Sequence, residues 1–203
     1  MLQGLKIVFI VFMLTLIISI PIGIIICTLR LSKNNILNNI SKFYILIFRG
    51  TPLLLQLIFI FYGLPLLGIV FDRFTVAILA FSLNYSAYFA EIFRGGIESI
   101  DKGQYEASLV LGFDKFSTYK KIIVPQVVKN ILAPMSNEVI TLIKDTSLVY
   151  ILGLNDMLRL AQIDSNRTLS LLPLIEVCLI YLGLIFILSS IFKALENKYS
   201  YYR

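Results

Sequence analysis

The chain alternates between long apolar runs and short polar gaps. Five runs stand out, at about 5–29, 43–67, 74–94, 131–154 and 171–195. Each holds roughly 20 residues or more, enough at about 1.5 Å per residue to cross a hydrocarbon core of about 30 Å. Three gaps are short. The gap at 95–130 is long and polar, and any work done outside a membrane is expected there. Pro21 and Gly23 interrupt the first run, Pro52 the second and Pro134 the start of the fourth. In a bundle, neighbouring helices satisfy the backbone groups such residues free, so these positions read as kinks that serve packing.

The long gap predicts two short helices. Asp101, followed three residues later by Gln104, caps a helix over 102–111 that stops at Gly112. Asp114 caps a second through Phe116, Tyr119 and Ile122, and Pro125 is expected to break the chain before the fourth run. Leu109, Val110, Leu111, Phe113 and Phe116 cannot all face water; they pack on the bundle or on a partner.

Composition turns this pattern into a class. Hydrophobic residues make up 58% and charged residues 15% of 203, against about half and a quarter in soluble domains. A soluble enzyme is excluded, and 1–203 reads as one all-α transmembrane domain. The net charge of +6 fits Lys and Arg in cytoplasmic loops better than a nucleic-acid surface. There is no His, and Cys27 and Cys178 lie far apart. That predicts no zinc site, no haem and no disulfide framework, hence no cofactor bound by this chain. The first run is too long for a signal-peptide core and has no basic stretch before it, so it is expected to stay in the membrane.

Charge sets the expected orientation. With the long gap cytoplasmic, the inner segments hold most of the Lys and Arg, from Arg30 and Lys33 through Lys120, Lys121 and Lys129 to Lys193, Lys198 and Arg203. Only Lys6, Arg73, Arg159 and Arg167 fall outside, with Lys144 inside a run. This predicts an external N-terminus and a cytoplasmic C-terminus. The segment 155–170 then reads as a short external helix and turn.

The fourth run has a polar face. At about 100° per residue, Asn137, Glu138, Thr141, Lys144 and Asp145 fall within about 120° of one another. A charge at mid-bilayer costs roughly 2.5–3.5 kcal/mol on the insertion scale, so such residues face a bundle interior or a water-filled cavity and mark a pathway, or an ion pair between helices. In the third run, Asn84 and Tyr88 are four apart on one face, at a depth similar to Lys144. Glu91 and Arg94 lie nearer the cytoplasmic end and read as a local pair or an inner gate, while Arg49 reads as snorkelling to the interface.

Four segments carry a family resemblance. Glu106-Ala107-Ser108, then Gly112, then Ile122 and Pro125 resemble the EAA motif of ABC importer permeases in spacing throughout, with Ser108 in place of the second Ala and Val124 in place of Leu. Arg49-Gly50-Thr51-Pro52-Leu53-Leu54-Leu55-Gln56, Ala90-Glu91-Ile92-Phe93-Arg94-Gly95-Gly96-Ile97 and Lys144-Asp145-Thr146-Ser147-Leu148 are similar to stretches of polar amino-acid permeases of the histidine, glutamine and arginine group. The resemblance implies a five-helix, type I (MetI-like) permease bundle with a cytoplasmic EAA coupling loop. It implies that Glu106, Ala107, Ser108 and Gly112 couple to a separate ABC ATPase dimer. A second permease subunit, identical or homologous, and an extracytoplasmic amino-acid-binding protein complete the assembly in a bacterial inner membrane. No G-x-x-x-x-G-K-[ST] occurs, so ATP is expected to be hydrolysed by the partner. Asn84, Tyr88, Asn137, Glu138, Lys144 and Asp145 are the candidate substrate pathway. The alternatives are the same fold carrying methionine, an opine or a dipeptide, or a self-sufficient ion-coupled carrier or channel.

Overall fold

The computed structural model describes residues 1–199; Arg203, counted above among the inner charges, lies outside the described residues. Among the described residues the ordered elements are all helical. In chain order they are α1 (Leu2–Arg30), α2 (Asn35–Gly50), α3 (Leu53–Leu66), α4 (Arg73–Glu98), α5 (Lys102–Val110), α6 (Lys115–Thr118), α7 (Val124–Asp145), α8 (Met157–Thr168) and α9 (Leu172–Tyr199). A π-helical turn, Tyr119–Ile123, joins α6 to α7, and a 3₁₀ segment, Thr146–Leu152, follows α7.

By length and composition, α1, α4 and α9 are long and apolar enough to cross a membrane. The run at 43–67 differs from the sequence expectation. It is no single kinked helix: α2 and α3 meet at 102°. The cause is Pro52, which pushes Thr51 into extended backbone (φ −120°, ψ 145°) and ends α2 there. The fourth run also differs. α7 begins at Val124, well before 131, and turns into the 3₁₀ segment after Asp145 rather than running on to 154. Pro125 does not break the chain. It sits in the first turn of α7, where a missing N–H costs little. The preceding turn is widened, with the Val124 N–H bonding to the Tyr119 carbonyl five residues back, so the helix carries on past the proline.

The core is the α1–α4 joint. Val8, Val11 and Phe12 pack with Ala77, Ala80, Phe81, Tyr85 and Phe89 in one buried cluster. Along α1, Thr15, Ser19, Gly23 and Cys27 recur every fourth residue and are all buried, a stripe of small residues that lets two helices approach closely. At Gly23 a methyl group would lie 2.9 Å from Phe89 Cβ and 3.1 Å from the Ser86 carbonyl. Gly23 thus serves packing, as expected, whereas Pro21 is exposed. The outward faces of α1 and α9 carry Ile17, Ile25, Leu182 and Phe186, all exposed, as a lipid-facing surface requires.

Candidate functional site

The break between α2 and α3 leaves backbone groups that must be satisfied. Side chains from the same break and from α4 do this. Gln56 Nε2 donates to the carbonyls of Phe48 (3.0 Å) and Thr51 (3.1 Å) and to Thr51 Oγ1 (2.8 Å). Asn84 Nδ2 donates to Phe48 O (2.7 Å) and Gln56 Oε1 (3.1 Å). Tyr44 donates its hydroxyl proton to the Leu83 carbonyl at 2.7 Å, tying α2 to α4. The break is therefore a fixed feature rather than a loose hinge.

Beside it lies a polar cleft between the α2/α3 break, α4 and α7. Its deep part, about 420 Å³, is lined by Arg49, Thr51, Leu53, Asn84, Tyr85, Tyr88, Glu138, Thr141 and Asp145. A second part, about 700 Å³, runs toward the α5–α6 end past Glu91, Gly95, Ser99, Asn130 and Asn137. Arg49, Tyr88 and Glu138 line both parts and stand between them. Arg49 stacks over the Tyr88 ring at 5.0 Å and reaches to 3.7 Å from Glu91. Glu91 is held by Arg94 through two bonds, at 2.9 and 2.7 Å. Tyr85, fully buried, donates to Asp145 Oδ2 at 2.8 Å and aims that carboxylate from α7 toward the cleft.

Five of the expected pathway residues come together here, with different duties. Tyr88 and Glu138 are at the waist, Asp145 in the deep part and Asn137 in the outer part. Asn84 lines the deep part, but it is buried and its amide is engaged in holding the helix break. Lys144 is not brought into this cleft. It is exposed and lines a separate cavity with Ser147, Leu158, Leu174 and Cys178, against α8 and α9. It sat at the edge of the polar arc on α7, and the packing of α9 on α7 turns that edge away. Among the described residues it makes no ion pair, so the inter-helix ion pair considered for it is absent there. Sequence reasoning missed Tyr85, Gln56 and the inward placing of Arg49. A lone Gln in the apolar α3 was the available signal for Gln56.

The 95–130 segment folds largely as its caps predict. Asp101 accepts from the Gly103 N–H at 2.6 Å and Asp114 from the Phe116 N–H at 3.2 Å. A bond from Ser117 holds the Asp114 carboxyl below the usual carboxylate range. Gly112 ends the α5 turn at φ +79°, left-handed backbone that favours glycine. Ser108 is buried; its hydroxyl donates to Tyr105 O and accepts from Thr118 Oγ1, welding α5 to α6. It acts as an internal joint between the two helices. Glu106 and Ala107 face outward, and Glu106 has no hydrogen-bond or ion-pair partner among the described residues. Around them Leu109, Val110, Leu111 and Phe116 are 64–88% exposed. The segment is anchored to the cleft: Asn130 at the base of α7 bonds Ser99 at the end of α4 (2.8 Å), and Gln126 bonds Gln104 (3.2 Å).

Comparison with known proteins gives consistent matches. Residues 19–201 match the family described as binding-protein-dependent transport system inner membrane component. The arginine transport system permease protein ArtQ of Bacillus subtilis is 42% identical, over 97% of this chain and 91% of its own length. The putative glutamine transport system permease protein GlnP of Rickettsia conorii is 40% identical, over 91% of this chain and 86% of its own. Among solved structures, that of an amino acid ABC transporter with histidines superposes with a TM-score of 0.89 at 33% identity, covering 97% of this chain and 92% of that one. The inward-facing MetNI methionine transporter superposes with a TM-score of 0.75 at 15% identity and shares the fold.

Proposed function

Because the chain belongs to the family of binding-protein-dependent transport system inner membrane components, and is a membrane-embedded permease subunit of an ABC importer, we propose that it conducts polar amino acids through the α2/α3–α4–α7 cleft and takes its drive through the α5–α6 loop. The observation that carries this is the convergence of Glu138, Asp145, Arg49 and Tyr88 on one cleft that opens toward the loop end. Glu138 has no ion pair among the described residues. An isolated carboxylate at membrane depth is costly, and an amino acid's ammonium group compensates it while bound. The arginine and glutamine permeases among the relatives favour polar amino acids as cargo over methionine, opines or dipeptides.

ABC importers of this family work with an ATPase and a binding protein. In our reading two permease subunits face each other, and the α5–α6 loop of each seats in an ATPase subunit on the cytoplasmic side. Each of Leu109, Val110, Leu111 and Phe116 yields about 1.5–3 kcal/mol when fully buried, which is ample for a stable seat. Exposed Glu106 and Ala107 supply a charge and a close approach, and Gly112 the sharp exit. The Ser99–Asn130 and Gln104–Gln126 bonds pass movement of the loop to α4 and α7, the cleft walls. ATP is bound and hydrolysed by the partner; this chain contributes the pathway. The N-terminus then lies outside, and the docking segments for the external binding protein are those at the opposite end from α5.

The test is reconstitution with the ATPase and binding protein in vesicles. ATP-driven uptake of labelled arginine, glutamine or histidine is expected. Uptake that continues without the ATPase would favour a self-sufficient carrier, and uptake of a non-amino-acid solute alone would overturn the cargo.

A further inference from the structure

The charge pattern leaves Lys6, Arg73, Arg159 and Arg167 on the outer side, where basic residues are disfavoured, and the fold brings two of them to one point. Gly153 ends the 3₁₀ segment in left-handed backbone, φ +79°. A Cβ built on it would lie 2.6 Å from Arg73 Nη1 and 3.2 Å from Arg159 Nη1. One guanidinium comes from the start of α4 and the other from the first turn of α8, and they close on the same small space, which glycine leaves open. Each donates to one backbone carbonyl, Arg73 to Gly153 O at 3.5 Å and Arg159 to Tyr150 O at 3.3 Å, both beyond the usual range of about 2.7–3.2 Å. Among the described residues neither makes an ion pair, and Arg159 Nε is buried with no hydrogen-bond partner. The neighbouring acids are engaged elsewhere. Asp72 caps α4, accepting from the Phe74 and Thr75 N–H groups and from Thr75 Oγ1. Asp156, fully buried, caps α8, accepting from the Leu158 and Arg159 N–H groups. Two like charges this close repel. One carboxylate set between them removes the repulsion and gives both planar forks an acceptor. α8 presents Asp164, Asn166, Arg167 and Thr168 outward, a surface suited to water rather than hydrocarbon. A soluble protein therefore fits this end better than a lipid headgroup.

We infer that Arg73 and Arg159 together seat a carboxylate side chain, Asp or Glu, of the extracytoplasmic binding protein. This rests on the reading of the chain as a binding-protein-dependent permease with this end outside. The seat joins two moving parts. Arg73 opens α4, one wall of the cleft, and Arg159 holds the 3₁₀ segment that continues α7, another wall. A single carboxylate bridging them ties the outer ends of both walls, so docking sets their separation on the side from which cargo enters. Lys is a poor substitute at either position, since an ammonium offers no fork.

The test measures docking on the permease–ATPase complex in nanodiscs. The probe is the amino-acid-loaded binding protein that supports uptake in the reconstitution above. Arg73→Gln and Arg159→Gln should each weaken docking at least tenfold, and the double variant by less than the product of the two effects, since both act on one carboxylate. Basal ATPase activity without binding protein should stay within twofold of wild type. Docking by Arg73→Glu should be restored at least fivefold by one acid-to-lysine substitution among those made across the binding protein's surface. Docking within twofold of wild type in both Gln variants, or no restoring substitution, overturns the seat. Loss of basal ATPase activity together with docking makes the pair a brace for the 3₁₀ segment and also overturns it. So does anionic phospholipid retained by wild type and lost from the variants with docking unchanged, which assigns the pair to lipid headgroups. If Arg159→Gln does not assemble, Arg159→Lys decides: it should weaken docking at least threefold, and unchanged docking overturns the proposal. If no binding protein supports uptake by wild type, the importer reading itself fails, and this inference with it.

Discussion

Two arginines a short way apart at the α2–α4 boundary hold opposite kinds of position. Arg94 is engaged on all sides: it grips Glu91 through two bonds and also pairs with Glu98. Arg49 lies beside the same Glu91, touches it only loosely, and otherwise stacks on Tyr88. The first is a completed structural pair between successive turns of one helix. The second is a charge held in place but left unanswered, facing carboxylates across an open cleft. The same contrast recurs in the loop, where Ser108 is buried and bonded while Glu106 is outward and unpaired. A polar group whose bonds are complete within the subunit maintains its shape. One left incomplete at membrane depth or on an apolar surface is positioned for something that arrives from outside.

The contrast can be broken from either side. The largest effect on stability is expected from Arg94→Ala, which strips both bonds from a Glu91 that is only 18% exposed. About 1–3 kcal/mol of lost stability is expected, since Arg49 at 3.7 Å remains to compensate Glu91 in part, read by chemical denaturation in mixed micelles; a loss below about 1 kcal/mol would show that the pair is not structural. Next comes Glu106→Lys. It leaves the folded bundle unchanged but should lower ATP-driven uptake at least tenfold, equivalent to about 1.4 kcal/mol, with the ATPase lost on purification. Full uptake with the ATPase retained would remove the loop from the coupling role. Smallest is Glu98→Gln. Glu98 is 52% exposed, and an exposed ion pair of this kind is worth about 0.5 kcal/mol or less, so its denaturation curve should nearly overlay the parent's.

How much of this the sequence disclosed depends on how local the cause is. The caps at Asp101 and Asp114 and the turn at Gly112 were legible because each acts on backbone two or three residues away. Pro52 was visible as an interruption, but its 102° outcome was not. The sharp break stands because Gln56 and Asn84 satisfy the freed carbonyls, and Asn84 is far away in sequence. Pro125 looked like a stop, and the π-turn that absorbs it leaves no mark in composition. The polar face of α7 was found by periodicity, yet helix angle alone could not divide it. Packing by α9 places Lys144 on one side and Glu138 and Asp145 on the other. Arg49 was misassigned because an arginine ending a helix resembles an interfacial one until the fold shows Tyr88 beneath it and the cleft before it.

The central claim is that the cargo passes the Arg49–Tyr88–Glu138 waist. It is tested most directly by comparing Glu138→Gln with Lys144→Ala for ATP-driven uptake in the same vesicle preparation, at equal amounts of assembled complex. Both substitutions remove one charge from α7, and they are less than two turns apart. Uptake should fall at least tenfold with Glu138→Gln and much less with Lys144→Ala. Normal uptake by Glu138→Gln beside a severe loss in Lys144→Ala would move the pathway to the opposite face of α7 and contradict the account.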